Sequence, residues 1–204
     1  MKTSVVRRVW NLYRLVLWKV TGPKGSMPEL LKQRTVRSYA KASGAQTLVE
    51  TGTYLGEMVK ANVQFFSRIY SVELDPALAA AAAKRFATTD TVSILQGDSG
   101  TMLARILSDV SGKCVFWLDA HYSGGVTAGD NQDPPIVDEL QVILAHGRSD
   151  HVILIDDARS FDGSNGYPTV DGISKIVAAS GRGYDVSTAL DIIRVHQPGL
   201  SVEV

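Results

Sequence analysis

The sequence is poor in several things that would have placed it quickly. It holds one cysteine, Cys114, in 204 residues, so no internal disulfide staples it and burial of apolar surface must carry the fold. That usage fits a reducing compartment, and the thiol, set in the apolar run Cys114-Val115-Phe116-Trp117-Leu118, reads as buried and inert. Charge of one sign is missing as well: 21 Lys and Arg balance 21 Asp and Glu. A chain without a net field has no global attraction to phosphate backbones, so no nucleic-acid partner is expected. No apolar run of bilayer-spanning length is free of charge. Arg14 and Lys19 interrupt the N-terminal apolar stretch that a signal peptide would need. The expected location is the cytoplasm, with peripheral contact at a membrane left open by the N-terminus. A pyrophosphate-binding G-x-G-x-x-G is absent too, which counts against a nicotinamide dehydrogenase. No internal repeat or low-complexity tract is visible.

What remains is an ordinary globular composition, 45% apolar and 21% charged, of a size suited to one domain. We divide the chain into a basic amphipathic N-terminal helix with its linker, residues 1–25, and one domain, residues 26–204. On a helical wheel Val5, Val6, Val9, Trp10, Leu12, Tyr13, Val16, Leu17 and Val20 share a broad face, with Arg7, Arg8, Asn11, Arg14 and Lys19 opposite. Such a helix lies on an anionic membrane surface, or packs against this domain or a second subunit to make a homodimer. Packing is the commoner fate of an apolar helix face, while Leu15 and Trp18 on the polar side favour the membrane.

After the turn formers Gly22-Pro23-Lys24-Gly25-Ser26, a helix is expected over Pro28–Ala42, and then strand and helix signals alternate. The β-rich runs are Thr47–Glu50, Ile69–Glu73, Val92–Leu95, Val115–Asp119 and Val152–Asp156. Between them lie helical stretches at Glu57–Phe65, Pro76–Phe86, Thr101–Ser108 and Pro135–Ala145. Asp75-Pro76 before an alanine-rich run is an N-cap, a first-turn proline and a strong helix former in order. Alternation of this kind predicts parallel strands with helices on both faces. A helix at Val170–Ala179 then precedes Tyr184–Ala189 and Ile192–His196, whose short connection can only be a hairpin. The expected fold is α/β: five parallel strands plus a C-terminal antiparallel hairpin.

Ligands of such sheets sit at the carboxyl ends of the strands. The first end reads Glu50-Thr51-Gly52-Thr53-Tyr54-Leu55-Gly56, where glycines allow a sharp turn and close backbone approach to a ligand. The second ends at Glu73, about twenty positions on, where an acid can accept from both ribose hydroxyls. The third ends Gly97-Asp98-Ser99, where Asp98 could accept from an adenine amino group. Each acid also reads as a helix cap, the reading taken for Asp75. These segments resemble the cofactor motifs of class I S-adenosylmethionine-dependent methyltransferases, in the form used by catechol-type O-methyltransferases, over residues 45–200. The resemblance implies a Rossmann-like sheet with S-adenosylmethionine as cofactor. Its binding residues would be Glu50, Gly52, Thr53, Tyr54, Gly56, Glu73, Asp98, Ser99 and Asp119.

The fourth and fifth strand ends are acidic, at Leu118-Asp119-Ala120-His121-Tyr122 and Ile155-Asp156-Asp157-Ala158-Arg159. If those strands are neighbours, Asp119, Asp156 and Asp157 converge, and three carboxylates together repel unless a cation or protons neutralise them. Hard oxygen ligands suit Mg²⁺. The placement resembles the metal site of cation-dependent O-methyltransferases, including those acting on macrolide sugars. Such an ion would chelate adjacent hydroxyls and lower the pKa of the one attacked. His121 stands as the candidate general base, or as a structural histidine bonded to a carboxylate. Asp119 completes the catalytic pair, and Tyr122 and Arg159 are weaker candidates for substrate contact. Two departures from the catechol-type pattern are visible: Asp119–Tyr122 lacks the expected lysine, and Asp157 stands where asparagine is usual. The loop from Tyr122 to Pro135 is polar and glycine-bearing, as a substrate gate would be. The expected activity is O-methylation of a sugar, glycan or natural-product hydroxyl. A metal-dependent hydrolase and a non-catalytic, membrane-associated binding module are the alternatives.

Overall fold

The computed structural model describes residues 26–119, 134–148, 150–200 and 202. The N-terminal helix and linker assigned to residues 1–25 and the loop bearing His121 and Tyr122 lie outside the described residues. A seven-stranded sheet organises the chain, with β1 Thr47–Thr51, β2 Arg68–Glu73, β3 Val92–Gln96, β4 Cys114–Leu118, β5 Val152–Ile155, β6 Asp185–Ala189 and β7 Ile192–His196. The spatial order is β3-β2-β1-β4-β5-β7-β6. The first five strands pair in parallel, and β7 is antiparallel to both β5 and β6. Five parallel strands closed by an antiparallel hairpin is the Rossmann-like sheet of class I methyltransferases, as expected. Leu190 and Asp191 join β6 to β7, both at positive φ (54° and 61°), the twist that a two-residue hairpin turn demands.

The helices are α1 Glu29–Ser43, α2 Glu57–Asn62, α3 Pro76–Arg85, α4 Ser99–Asp109, α5 Ile136–Ala145 and α6 Val170–Ala179. Because strand side chains alternate between faces, the sheet splits its apolar residues into two cores. Val49, Val72, Phe116, Leu118, Ile153 and Ile155 meet α4, α5 and α6 on one side. Leu48, Ile69, Val115, Trp117 and Leu154 meet α1 and α2 on the other, with Phe86 from the end of α3. β4 and β5 are buried along their whole length, as central strands covered on both faces must be. Cys114 is fully buried in β4, and burial pushes its thiol up to about 12. The carboxyl ends of β1 to β5 open on one edge, and the strand order reverses between β1 and β4.

Candidate active site

After β1 the backbone enters the left-handed region at Gly52 (φ 84°), Tyr54 (φ 46°) and Gly56 (φ 70°). Glycine takes this conformation without steric cost, whereas Tyr54 has to be held in it. Its N–H donates to Glu73 Oε2 at 2.7 Å, and the N–H groups of Gly52 and Thr53 donate to the Val72 carbonyl at 2.9 and 3.1 Å. Thr53 and Ser71 share a hydroxyl hydrogen bond of 2.6 Å, and Ser71 donates to Glu50. Arg85 closes the turn from α3 by donating to the Leu55 carbonyl. A side chain on Gly56 would come within 2.8 Å of the Phe86 ring, so its missing Cβ serves the packing of α2 on α3. The turn is therefore held from β2 and from the end of α3, and its rim presents Tyr54 and Leu55, 51% and 55% exposed.

Glu73, at the tip of β2, is buried. Besides the Tyr54 N–H it accepts the Asp75 N–H at 3.0 Å, so it staples the glycine turn to the second strand. Each oxygen retains a further lone pair. The adjacent Leu74 side chain is exposed. Asp98 caps α4, its Oδ1 accepting from the Thr101 N–H at 2.9 Å and the Thr101 hydroxyl at 3.1 Å, while Ser99 is buried in the first turn. Glu50, buried beneath the turn, has its pKa pushed well above the carboxylate range by burial, against the opposing pull of the Ser71 hydroxyl.

At the fourth and fifth tips the sheet register continues: the Asp119 N–H donates to the Thr51 carbonyl at 3.1 Å and the Asp156 N–H to the Leu118 carbonyl at 3.0 Å. Two of the three aspartates expected to hold a metal ion have side-chain cations beside them. Asp156 Oδ2 is in contact with the ammonium of Lys32, a buried residue of α1 that the sequence reading passed over. Asp157, at φ 54°, accepts from Arg159 at 2.7 Å. Arg159 also binds Asp191 of the hairpin turn, whose Oδ1 accepts the Arg159 N–H at 2.9 Å. Two of the three carboxylates are thus neutralised by side-chain cations. Among the described residues no group of three or more His, Cys, Asp or Glu is arranged to hold a metal ion. Spacing along the chain could not show which cations arrive at these acids from elsewhere. Burial pulls the Lys32 pKa down, but Asp156 and Asp119 outweigh it and hold the ammonium above its ordinary range. Burial, and then the charge of Asp119, push the Asp156 carboxyl well above its ordinary range, against the downward pull of the Lys32 ammonium.

A second residue missed from the sequence is Glu139. It sits on the buried face of α5 at zero exposure, facing Ser99 and Thr51 and within the fields of Asp98 and Asp119. The Ser99 and Thr51 hydroxyls lower its pKa somewhat, yet neither of its oxygens accepts a hydrogen bond of good geometry. Burial wins, and its pKa rises to about 7. His121, the candidate base, and Tyr122 lie outside the described residues.

A mixed sheet of this order is the Rossmann-like sheet of class I methyltransferases. No protein-family model and no curated protein sequence matches the chain, but many solved structures share its architecture. An O-methyltransferase of tomaymycin synthesis from Streptomyces achromogenes, solved with S-adenosylmethionine, superposes with a TM-score of 0.54 at 16% identity, covering 81% of this chain and 79% of its own. An O-methyltransferase from Bacillus cereus, solved with S-adenosylhomocysteine, gives 0.58 at 14% identity, over 92% and 90% of the two chains. A methyltransferase from Podospora anserina, also bound to S-adenosylhomocysteine, gives 0.56 at 17%, over 92% and 87%. At such identities the likeness is one of fold. It bears out the Rossmann-like sheet that the resemblance implied.

Proposed function

We propose that the protein is an S-adenosylmethionine-dependent O-methyltransferase acting on a hydroxyl of a sugar, glycan or other natural product. One observation carries this reading: the buried Glu73 carboxylate is locked by two backbone N–H groups at the carboxyl edge of the sheet, beside the left-handed turn after β1. A carboxylate held so rigidly, with lone pairs to spare, suits a ribose diol. The exposed Leu74 and Tyr54 offer apolar cover for a flat base or a thioether chain. These groups fit the cofactor. Its methionine end would lie over Gly52–Gly56, with Glu50, Thr53 and Asp119 around it and Asp98 and Ser99 on the adenine side. The Streptomyces and Bacillus relatives of this fold were solved with that cofactor or its product.

When bound, S-adenosylmethionine supplies a sulfonium whose methyl carbon is electrophilic. The protein has to align an acceptor hydroxyl behind that carbon and take its proton. The cofactor would supply the methyl group, while the residues of this chain would hold the acceptor oxygen in line and take its proton to a base. We assign that last role to His121, two residues beyond Asp119. The hydrolase alternative loses ground because Lys32 and Arg159 engage the carboxylates a catalytic metal would need.

Calorimetric titration of S-adenosylhomocysteine, with Mg²⁺ and with chelator, tests the reading. The expected dissociation constant is on the order of 10 μM under both conditions, weakening by about tenfold or more in Glu73→Gln. Circular dichroism should show the variant folded. No binding under either condition would remove the methyltransferase reading and leave the non-catalytic module in its place.

A further inference from the structure

We infer that the Lys32 ammonium stands where related sites would place a divalent metal ion, so that an acceptor hydroxyl is positioned by a fixed organic cation and the acidic cluster takes no metal. The inference deepens the methyltransferase reading and rests on it for the identity of the acceptor.

The pleat explains why the cluster forms. Leu154 faces α1 and Ile155 faces away, so Asp156 returns to the α1 side, and by the same alternation Trp117 and Leu118 bring Asp119 to that side. Two neighbouring parallel strands thus deliver carboxylates under one helix. That helix is seated by Leu31, Val36 and Tyr39, and the seating brings Lys32 over the strand tips, 5% exposed. Lysine is almost never buried without a partner, and Lys32 has Asp156 in contact and Asp119 within its field. A compact ammonium on a long stem is a point charge, the closest organic counterpart of a metal ion.

A second observation points to a ligand. Asp156 Oδ1 is buried and accepts no hydrogen bond, and an acceptor left unsatisfied in the interior is costly. An acceptor hydroxyl other than the one methylated supplies what is missing: its oxygen can accept from the Lys32 ammonium while its proton is donated to Oδ1. Asp157 takes no part, since Arg159 and Asp191 hold it in a separate network. An ammonium cannot chelate two oxygens as a metal does. The acceptor therefore needs one hydroxyl at this point rather than a vicinal pair.

The test uses Mn²⁺ as the probe, followed by electron paramagnetic resonance on the whole chain, with S-adenosylhomocysteine calorimetry on the same samples. Wild-type protein and Lys32→Arg should leave the free Mn²⁺ signal unchanged. Lys32→Gln, which removes the charge and nearly keeps the length, should bind Mn²⁺ at least about tenfold more tightly than wild type, and Asp156→Asn added to it should abolish that binding. Should Lys32→Gln melt too low to titrate, a rise in its melting temperature on adding Mn²⁺ reports the same created site. Mn²⁺ binding to wild type that Asp156→Asn removes would overturn the inference. So would failure of both wild type and Lys32→Gln to bind, because the carboxylates would then form no cation site. Loss of S-adenosylhomocysteine binding with the Mn²⁺ pattern intact would instead count against the methyltransferase reading alone.

Discussion

Glu139 lies in the first turn of α5, sealed from solvent and raised to about 7 by burial. In the unfolded chain a glutamate loses its proton near pH ~4.3. Between the two values the folded state keeps a proton that the unfolded state has released, so stability falls as pH rises through that window and levels off above it. Glu139→Gln cannot titrate and is expected to remove this fall. Urea denaturation should show the variant more stable than wild type at pH 8 by on the order of 3–4 kcal/mol, and nearly equal to it near pH 4. Lower stability of the variant at pH 8 would mean that charged Glu139 has a partner, and would defeat the argument. Burial raises Glu50 and Asp156 in the same direction, so a weaker decline should persist in the variant. Residues at strand tips, such as Glu73, Asp119 and Asp156, were legible because a tip is a local feature of the chain. Lys32 was not, since its partner lies 124 residues away. Glu139 did leave a signal: it falls three residues after Ile136 and four before Ile143, on the apolar stripe of its helix, where an acid is out of place.

Element boundaries divide along the same line. The start of α3 was written locally, and the structure shows Asp75 Oδ1 accepting from the Ala77 and Leu78 N–H groups, both at 2.8 Å, with Pro76 in the first turn. Asp75→Ala should lower stability by about 1 kcal/mol. The backbone N–H of residue 75 that meets Glu73 survives that substitution, so S-adenosylhomocysteine affinity should hold. A matching loss of affinity would show instead that the α3 cap and Glu73 act as one unit. The end of α2 was not local. The helical pattern runs on to Phe65, yet the helix stops at Asn62, where Arg37 of α1 donates to the Ala61 carbonyl and to Asn62 Oδ1 at 3.0 Å. A cap supplied by another helix leaves no mark in the segment it ends. α4 begins at Ser99, ahead of the expected Thr101, because the acid read as a base contact also serves as its N-cap.

At the scale of the molecule, alternating strand and helix signals were enough to foresee the sheet, since a parallel pair cannot be joined without a crossover. They could not foresee what α1 contributes, because a helix packed across the face of β4 and β5 has no partner adjacent in sequence. The architecture also sets how a ligand should act on the whole chain. The turn after β1, the acid of β2 and the tip of β4 belong to three adjacent strands, so a molecule spanning them joins parts that unfold together. Binding to the folded state alone at a hundred times the dissociation constant adds about 2.7 kcal/mol, which for a chain of this size raises the melting temperature by roughly 5–10 °C. S-adenosylhomocysteine should produce that rise in wild type, with or without chelator. Asp75→Ala should show the full rise from a lower starting point, and Glu73→Gln little of it. Calorimetric binding without any thermal shift would mean that the ligand is held by the unfolded chain as well, and that the strand tips do not form its site.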